Sequence, residues 1–410
     1  MTAKIKNITC HKIVNSRGDW TIETHVELTD GSIGVQSIPD GASKGQNEAI
    51  TINPNKAVDI VSTVIADSLK GADPFEQEAL DNVMLSMDGT PNKRHLGGNS
   101  ILSVSLAIAH AAAQSKGLQL YEYLGLLYNG KKKARKSIKF PTPVFNIING
   151  GKHAQNNLSF QEFMVIPTPK RNFVEAMEMG VDIYQELKKN LKTDGFVTSV
   201  GDEGGFAPSG FTVGKALDYI KHAASVKFKP GEDVFFGMDV ASESFYKENK
   251  YCIEEEQLEL THTELAHYYN KLLGKYELIY VEDPFYEKDY SGWEYFNKME
   301  GQKIMVVGDD LVVTNTTYLS KAIDKNLINA VIVKPNQVGT LTETLKFIRM
   351  AKENGMSTII SHRSGDTAED TFIADLAVAV ESDFIKSGAP VRGERVVKYN
   401  RLLEIYFSEN

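Results

Sequence analysis

The sequence predicts an α/β protein in which a (β/α)8-type barrel follows a smaller α+β domain. Apolar runs rich in Val and Ile, such as MVVGDDL at 305–311, are typical of strands buried on both faces. Six such runs end in an ionisable residue, and these ends lie 24 to 43 residues apart, which leaves room for a helix and two loops. The stretches between them carry apolar residues at helical spacing, as in TETLKFIRMAKENG, which stops at Gly355. Such units form a closed barrel or a doubly wound sheet, and their number favours the barrel.

A second domain is expected because the chain has 410 residues and a barrel takes about 250. Residues 4–39 contain three alternating segments separated by Arg-Gly-Asp and Thr-Asp-Gly, which predicts an antiparallel meander. Helical patterns follow at roughly 55–70, 74–87 and 98–116. The first part of the chain is therefore predicted to form an α+β cap ahead of the barrel.

The stretch between the two predicted domains is basic, with five Lys or Arg residues between Lys131 and Lys136. A run of this kind binds RNA, addresses a protein to the nucleus, or is a solvated connector. No aromatic residues interleave with it and the net charge of the chain is −9, so we favour the connector and expect no nucleic-acid partner. The predicted domains are a cap over 1–130, a connector over 131–142 and a barrel over 143–410.

The composition indicates a cytoplasmic protein with no membrane partner. The N-terminal stretch MTAKIKNITCHKI lacks the apolar core of a signal peptide, and ILSVSLAIAHAAA is too short to span a bilayer. Cys10 and Cys252 have neither metal nor redox spacing, as expected in a reducing compartment.

The ionisable strand ends predict a metal site. In a barrel of this class the active site lies at the carboxyl ends of the strands. Asp239, Glu282 and Asp309 would form a set of three carboxylates there, which repel one another unless a cation such as Mg²⁺ or Mn²⁺ binds among them. Lys334 and Lys386 follow on later strands, where a lysine binds an anion, acts as a base or merely extends to the rim; Lys334, on the more apolar strand, is the better candidate for the base.

Two earlier stretches add acids. TSVGDEGGFAPSG places Asp202 and Glu203 before two glycines, and SFQEFMVIP places Gln161 and Glu162 before an apolar run. A base on one side of a carbon and an acid on the other side would suit an elimination of water. Removing a proton next to a carboxylate creates a dianion that must be stabilised by nearby cations.

Several motifs, in one order, resemble those of the enolase (phosphopyruvate hydratase) family from about Ile5 to Glu404. They are IINGGKHAQNN, QEFMVIP, VGDEGGFAP, YVEDPF, GDDLVVTN, KPNQVGTLTET, SHRSGDT and IKSGAPVRGER. The resemblance implies a hydro-lyase that converts 2-phosphoglycerate to phosphoenolpyruvate on an enolase-type barrel with irregular first units. The pairing of a lysine base with Mg²⁺ is the known pattern of this superfamily and does not follow from the spacing alone.

The resemblance also implies roles for single residues and two Mg²⁺ ions. Lys334 would be the base and Glu203 the acid that assists loss of the hydroxyl, with Glu162 beside it. The other implied contacts are Asp239, Glu282 and Asp309 to the first metal, Ser43 to the second metal, Arg363 and Ser364 to the phosphate, and His362, Lys386, His153 and Gln161 around the substrate.

The chain departs from the family pattern at the predicted lid. Asp40 and Lys44 stand where the family has uncharged residues, and a family segment is missing after Glu48. Lid loops complete such sites, so two interpretations remain open. One is drift in a surface loop, and the other is a paralogue that acts on a different phosphorylated or phosphonate acid.

The resemblance predicts a homodimer, although one of its contacts is altered. The family pairs the Glu equivalent to Glu23 with an Arg where this chain has Glu404, so another cation such as Arg401 would have to intervene. A third interpretation, a non-catalytic binding scaffold, is disfavoured because neither the predicted base nor any predicted metal acid is lost.

Overall fold

The computed structural model describes residues 3–41, 45–130 and 138–409. The predicted meander is present, and its inner face packs against the long apolar helix α4. Position 43 and most of the basic run lie outside the described residues. The elements of the cap are β1 (Ile5–Val14), β2 (Trp20–Leu28), β3 (Ile33–Ser37), α1 (Pro54–Ile60), a π-helical turn (Val61–Ile65), α2 (Ala66–Leu69), α3 (Gln77–Asp88), α4 (Gly98–Ser115) and α5 (Leu120–Asn129).

Eight strands close a barrel, which confirms the predicted fold class of an α+β cap followed by an enolase-type barrel. Around the barrel the order is β4, β5, β6, β10, β11, β12, β13 and β14, and β14 pairs with β4 to close it. The barrel strands are β4 (Thr142–Asn149), β5 (Glu162–Pro167), β6 (Val234–Asp239), β10 (Leu278–Glu282), β11 (Met305–Gly308), β12 (Ala330–Val333), β13 (Ser357–Ser361) and β14 (Phe384–Lys386).

One strand of the barrel runs antiparallel to its neighbours, in line with the irregular first units that the resemblance implies. β5 is antiparallel to both β4 and β6. The connection from β4 to β5 holds only a single short 3-10 turn, Gly151–His153, and parallel neighbours need a longer crossover that is usually a helix. The first residue of β5 therefore lies at the same end of the barrel as the last residues of the parallel strands.

Helices cover the outside of the barrel, and a small antiparallel sheet lies in the connection between β6 and β10. None of the helices in the described residues is both long enough and apolar enough to cross a lipid bilayer. The small sheet comprises β7 (Tyr246–Lys247), β8 (Lys250–Ile253) and β9 (Leu258–Leu260). The helices are α6 (Phe173–Thr193), α7 (Val213–Ser225), α8 (His262–Lys275), α9 (Tyr290–Glu300), α10 (Thr316–Asp324), α11 (Pro335–Val338), α12 (Leu341–Glu353), α13 (Phe372–Ala379) and α14 (Gly393–Glu409).

The barrel interior is a packed core of its own. Its buried side chains come from seven of the strands and include Val144, Met164, Tyr280, Ile332 and Ile359. Because this core fills the interior, polar groups gather at the rim, where the strands end.

Candidate active site

The rim at the carboxyl ends of the parallel strands brings the predicted metal acids together. Asp239 and Glu282 are the last residues of β6 and β10, and Asp309 directly follows β11. These three strands are neighbours in the barrel, so the three carboxylates lie side by side. Lys334 follows β12 and Lys386 ends β14.

One cavity of about 280 Å³ at this rim is lined by ten of the thirteen predicted site residues. Of the other three, Glu282 and Asp309 contact its lysines, and Ser43 lies outside the described residues. The ten residues are His153, Gln161, Glu162, Glu203, Asp239, Lys334, His362, Arg363, Ser364 and Lys386.

Lys386 supplies positive charge among three buried acids. Its Nζ lies 3.1 Å from Oδ2 of Asp239, 2.9 Å from Oε2 of Glu282 and 3.0 Å from Oε2 of Glu162. Although burial alone would favour the neutral amine, these carboxylates raise the pKa of Lys386 well above its usual value. The amide of Gln161 also donates to Oδ2 of Asp239, at 3.4 Å.

Lys334 and Asp309 form a direct ion pair. Nζ of Lys334 donates to Oδ2 of Asp309, and the side chain of Gln337 donates to the other carboxylate oxygen at 2.9 Å. Burial lowers the proton affinity of the lysine, but Asp309 outweighs it and raises the pKa of Lys334. Without a further ligand at this rim, Lys334 is therefore an ammonium ion.

A second acidic residue follows Glu282 and Asp309 in the chain. Asp283, which follows Glu282 with φ 41°, accepts the backbone N–H groups of Asp309 and Asp310, each at 2.9 Å. Burial and the neighbouring carboxylates raise the pKa of Asp283 and of Asp310 well above the usual value. The carboxylate of Asp310 lies close to those of Asp283 and Asp309.

The donor set at the rim fits a hard divalent cation. Asp239, Glu282 and Asp309 offer only carboxylate oxygens, the ligands that Mg²⁺ prefers. Burial and then the charge of Asp239 raise the pKa of Glu282 to about 8, which means that the two lysines leave negative charge uncompensated. The residues present therefore match the ion that the sequence predicts.

Glu162 and Glu203 form an acid pair on the other side of the cavity, together with His153. Nδ1 of His153 lies 3.5 Å from Oε1 of Glu162 and 3.5 Å from Oε2 of Glu203. Burial and the charge of Glu203 raise the pKa of Glu162 well above its usual value. Despite burial, the pKa of Glu203 is held well below its usual value by the two histidines beside it. These opposite directions favour a protonated Glu162 beside an ionised Glu203.

The proton position on His362 follows from its partners. Arg395 donates from Nη1 to Nδ1 of His362 at 2.7 Å, so Nδ1 accepts and the ring proton is on Nε2. Nε2 lies 3.3 Å from Oε2 of Glu203, towards which it directs its N–H. Burial lowers the pKa of His362 to about 4, and burial lowers that of His153 as well. The rings are thus neutral. His362, through Nε2, and the side chain of Asn146, which donates at 3.0 Å, support ionised Glu203.

The cap closes over Arg363 in the loop after β13. The guanidinium donates to both carboxylate oxygens of Glu48, at 3.1 and 3.3 Å. The backbones of Asp40 and Gly365 exchange hydrogen bonds of 2.9 and 2.8 Å. Gly41 lies so close to Arg363 that an added Cβ would be 1.9 Å from its Nη2. The altered lid region is therefore joined directly to the loop that carries Arg363 and Ser364.

Sequence reasoning did not assign a role to four residues that the site uses. Asp283, Gln337 and Arg395 all lie inside the motifs quoted above. They form hydrogen bonds to other residues of the site, and the spacing of residues in the sequence does not show such contacts. Glu48 was noted only as the point where the chain shortens. Its bond to Arg363 joins residues 315 positions apart.

Comparison with known families agrees with this architecture over most of the chain. Residues 5–124 match the family described as "Enolase, N-terminal domain". Residues 137–408 match "Enolase, C-terminal TIM barrel domain".

Proposed function

On the premise that this chain belongs to the enolase family, we propose that it catalyses the Mg²⁺-dependent dehydration of 2-phosphoglycerate to phosphoenolpyruvate. The family membership makes it a lyase-type protein, and the substrate is the proposal. One observation carries it. Lys334 follows β12 and Glu162 begins β5, and these two strands are four apart in either direction around the eight-stranded barrel. Base and acid therefore face each other across the cavity.

The predicted metal acids lie between these two groups. Asp239, Glu282 and Asp309 belong to the three strands that separate β5 from β12 on one side of the barrel. They would hold the first Mg²⁺, which, when bound, stabilises the negative charge that develops on the substrate carboxylate. Ser43 is proposed as a ligand of a second Mg²⁺.

Lys334 must lose its proton before it can act as the base. In this structure Asp309 keeps it protonated. A group that competes for the oxygens of Asp309 weakens this ion pair and lowers the pKa of the lysine. Lys334 then takes the proton from C2 of the substrate.

The Glu162 and Glu203 pair supplies the acid on the opposite side. The family resemblance implies Glu203 as the acid, and the raised pKa of Glu162 supports a proton on its neighbour. We propose that the pair acts as a unit, in which the proton held on Glu162 reaches the departing C3 hydroxyl either directly or through Glu203. Neutral His153 and His362 bind the substrate as hydrogen-bond donors.

Arg363 and Ser364 are proposed to hold the phosphate, and Lys386 with Gln161 to contact the rest of the substrate. The bond from Arg363 to Glu48 sets the plane of the guanidinium, since both carboxylate oxygens accept from it. The edge of the guanidinium that carries Nη1 and Nη2 therefore points towards Glu48 of the cap.

The test is the rise in ultraviolet absorbance when 2-phosphoglycerate and Mg²⁺ are added. We expect turnover that disappears without Mg²⁺ and in Lys334→Ala, and that persists in Lys170→Ala, which changes an exposed lysine outside the site. A wild-type protein that is folded and binds Mg²⁺ but does not turn over 2-phosphoglycerate would overturn the proposal.

A second candidate rests on the altered lid. Asp40 pairs with Gly365, next to Arg363 and Ser364, so its added charge lies near the proposed phosphate site. This favours a paralogue that does the same chemistry on another phosphorylated or phosphonate acid. Turnover of a phosphonate analogue in place of 2-phosphoglycerate, lost in Lys334→Ala, would select this candidate.

The homodimer is also a proposal. Glu404 and Asp375 both bind Arg401 within the chain, at 2.9 and 2.8 Å, while Glu23 contacts two histidines. Arg401 is therefore already engaged, and a dimer would use other contacts. Sedimentation at micromolar concentration tests it, and a monomer would refute it.

A further inference from the structure

Three metal-ligand side chains converge on the face of the cap sheet opposite to the face that packs against α4. His11 of β1 is directly opposite Glu23 of β2, and His25 follows Glu23 by two residues. Side chains two apart on a strand point to the same face, as do those of directly paired residues. The strand register therefore places His11, Glu23 and His25 together, while Ile22, Thr24 and Val26 between and beside them are buried on the other face.

The two distances from the histidines to Glu23 match those in a small tetrahedral site, and all three ligand atoms lie within 4.8 Å of one another. Nε2 of His11 lies 3.4 Å and Nε2 of His25 lies 3.0 Å from the same oxygen, Oε1 of Glu23. The ring centroids of the two histidines are 5.2 Å apart. Zinc binds nitrogen and carboxylate oxygen at about 2.0–2.1 Å, so ligand atoms at tetrahedral angles are about 3.3 Å from one another. Only small movements would bring all three atoms onto one ion.

We propose that His11, Glu23 and His25 bind a transition-metal ion of the Zn²⁺ or Co²⁺ class. Two imidazole nitrogens with one carboxylate suit such ions, whereas the acids at the barrel rim offer oxygen only and suit Mg²⁺. Within the described part of the chain, this is the one possible ligand group that contains two histidines. The inference does not depend on the proposed enolase reaction.

The site is open on one side. The side chains of His11, His25 and Glu23 are 53%, 36% and 23% exposed. Three protein ligands leave a coordination position that faces solvent and takes water or a donor from another molecule. A bound ion would also link β1 to β2 through their side chains, which stabilises the edge of the cap.

Visible absorbance during a Co²⁺ titration, in excess Mg²⁺, tests the site directly. Tetrahedral Co²⁺ with nitrogen ligands absorbs far more strongly than octahedral Co²⁺ among oxygens, so the barrel rim contributes little to the signal. We expect strong bands that saturate at one Co²⁺ per chain and are displaced by Zn²⁺. His11→Gln and His25→Gln should each weaken binding by at least about tenfold, since even changes around metal ligands cost that much.

Two controls keep the outcome decisive. His267→Gln changes an exposed histidine outside the cluster and should leave the titration unchanged. Glu23→Gln keeps the size of the side chain but removes its charge, and it should weaken Co²⁺ binding while far-ultraviolet circular dichroism shows the fold intact. Absence of the strong bands in the wild type, or bands that persist in His11→Gln and His25→Gln, would overturn the proposal and leave a hydrogen-bonded His–Glu–His cluster.

Discussion

The barrel rim and the edge of the cap meet at one cavity, but they are built in different ways. At the rim, strand register fixes each charged group, so that Asp239, Glu282 and Lys386 lie within 3.1 Å of an opposite charge. The cap reaches the cavity through loops, and their contacts include the backbone bonds of Asp40 with Gly365 and the ion pair of Glu48 with Arg363. Loops tolerate changes of sequence better than the strands that carry the rim. The chemistry is therefore expected to depend on the barrel, and the choice of substrate on the cap.

The largest effect should come from Lys334→Ala, which removes the proposed base from the rim. General-base catalysis contributes about 10²–10⁴-fold, so we expect kcat to fall by a factor in this range. The ultraviolet assay measures the loss, and substrate binding by calorimetry should change much less. If instead the variant kept kcat and only lost affinity, Lys334 would be an anion-binding group and the base would lie elsewhere.

Variants of Glu162 and Glu203 should lose activity to a similar extent but differ in thermal stability. Glu162→Gln and Glu203→Gln should each reduce kcat by about 10²-fold or more, because each interrupts the route of the proton. Glutamine resembles the protonated form of Glu162. Because the folded protein raises the pKa of Glu162, this residue stabilises the fold at low pH, and the stabilisation is lost as the pH rises through the pKa in the folded protein. Glu162→Gln should therefore keep or raise Tm at neutral pH.

Glu203→Gln should instead lower Tm, since it replaces an ionised carboxylate that accepts from Asn146 and faces Nε2 of His362. Thermal melts of the two variants under the same conditions compare them. The reverse order of Tm would mean that Glu203, and not Glu162, holds the proton.

Much of the rim could be predicted from sequence because apolar strands and their ionisable ends have a regular pattern. The antiparallel direction of β5 could not, because an apolar run such as FMVIP does not reveal the direction of its strand. Only the absence of a crossover helix between β4 and β5 indicates that direction. Contacts such as Arg395 with His362, or Glu48 with Arg363, join residues that are distant in sequence and carry no local signal. The sequence therefore shows where charged groups gather, but not which of them holds a proton.

Gly41 is where the cap depends on the barrel most closely. In Gly41→Ala the new Cβ would lie 1.9 Å from Nη2 of Arg363, so the lid segment or the guanidinium must move. A misplacement of about 1 Å can cost 10²-fold, and we expect a loss of about that size in kcat/KM, mainly through KM. Gly393→Ala, at a glycine with an ordinary φ and no atoms near its added Cβ, controls for the general effect of the substitution. An unchanged KM would show that the lid does not position Arg363.

Magnesium binding should depend on pH through Glu282. Its pKa of about 8 lies above the ordinary value of 4.5, so below pH 8 the folded, metal-free protein carries a proton that Mg²⁺ must displace. The apparent affinity should rise by up to about tenfold per pH unit as the pH approaches 8 and level off above it. Calorimetry in two buffers with different ionisation enthalpies counts the released proton. Equal heats in both buffers at pH 7 would contradict the assignment.

The smallest effect is expected from restoring the family residues in the lid, Asp40→Ser with Lys44→Thr. The bond between Asp40 and Gly365 is made by backbone atoms, so serine can keep it, and position 44 lies outside the described residues. If the two charges arose by neutral change in a surface loop, kcat/KM for 2-phosphoglycerate should stay within about threefold of the wild-type value. Substitutions at surface positions without special contacts usually have effects this small. A larger gain for 2-phosphoglycerate, matched by a loss for a phosphonate analogue, would instead show that these two charges select the substrate. In that case the cap, and not the rim, separates this chain from the rest of its family.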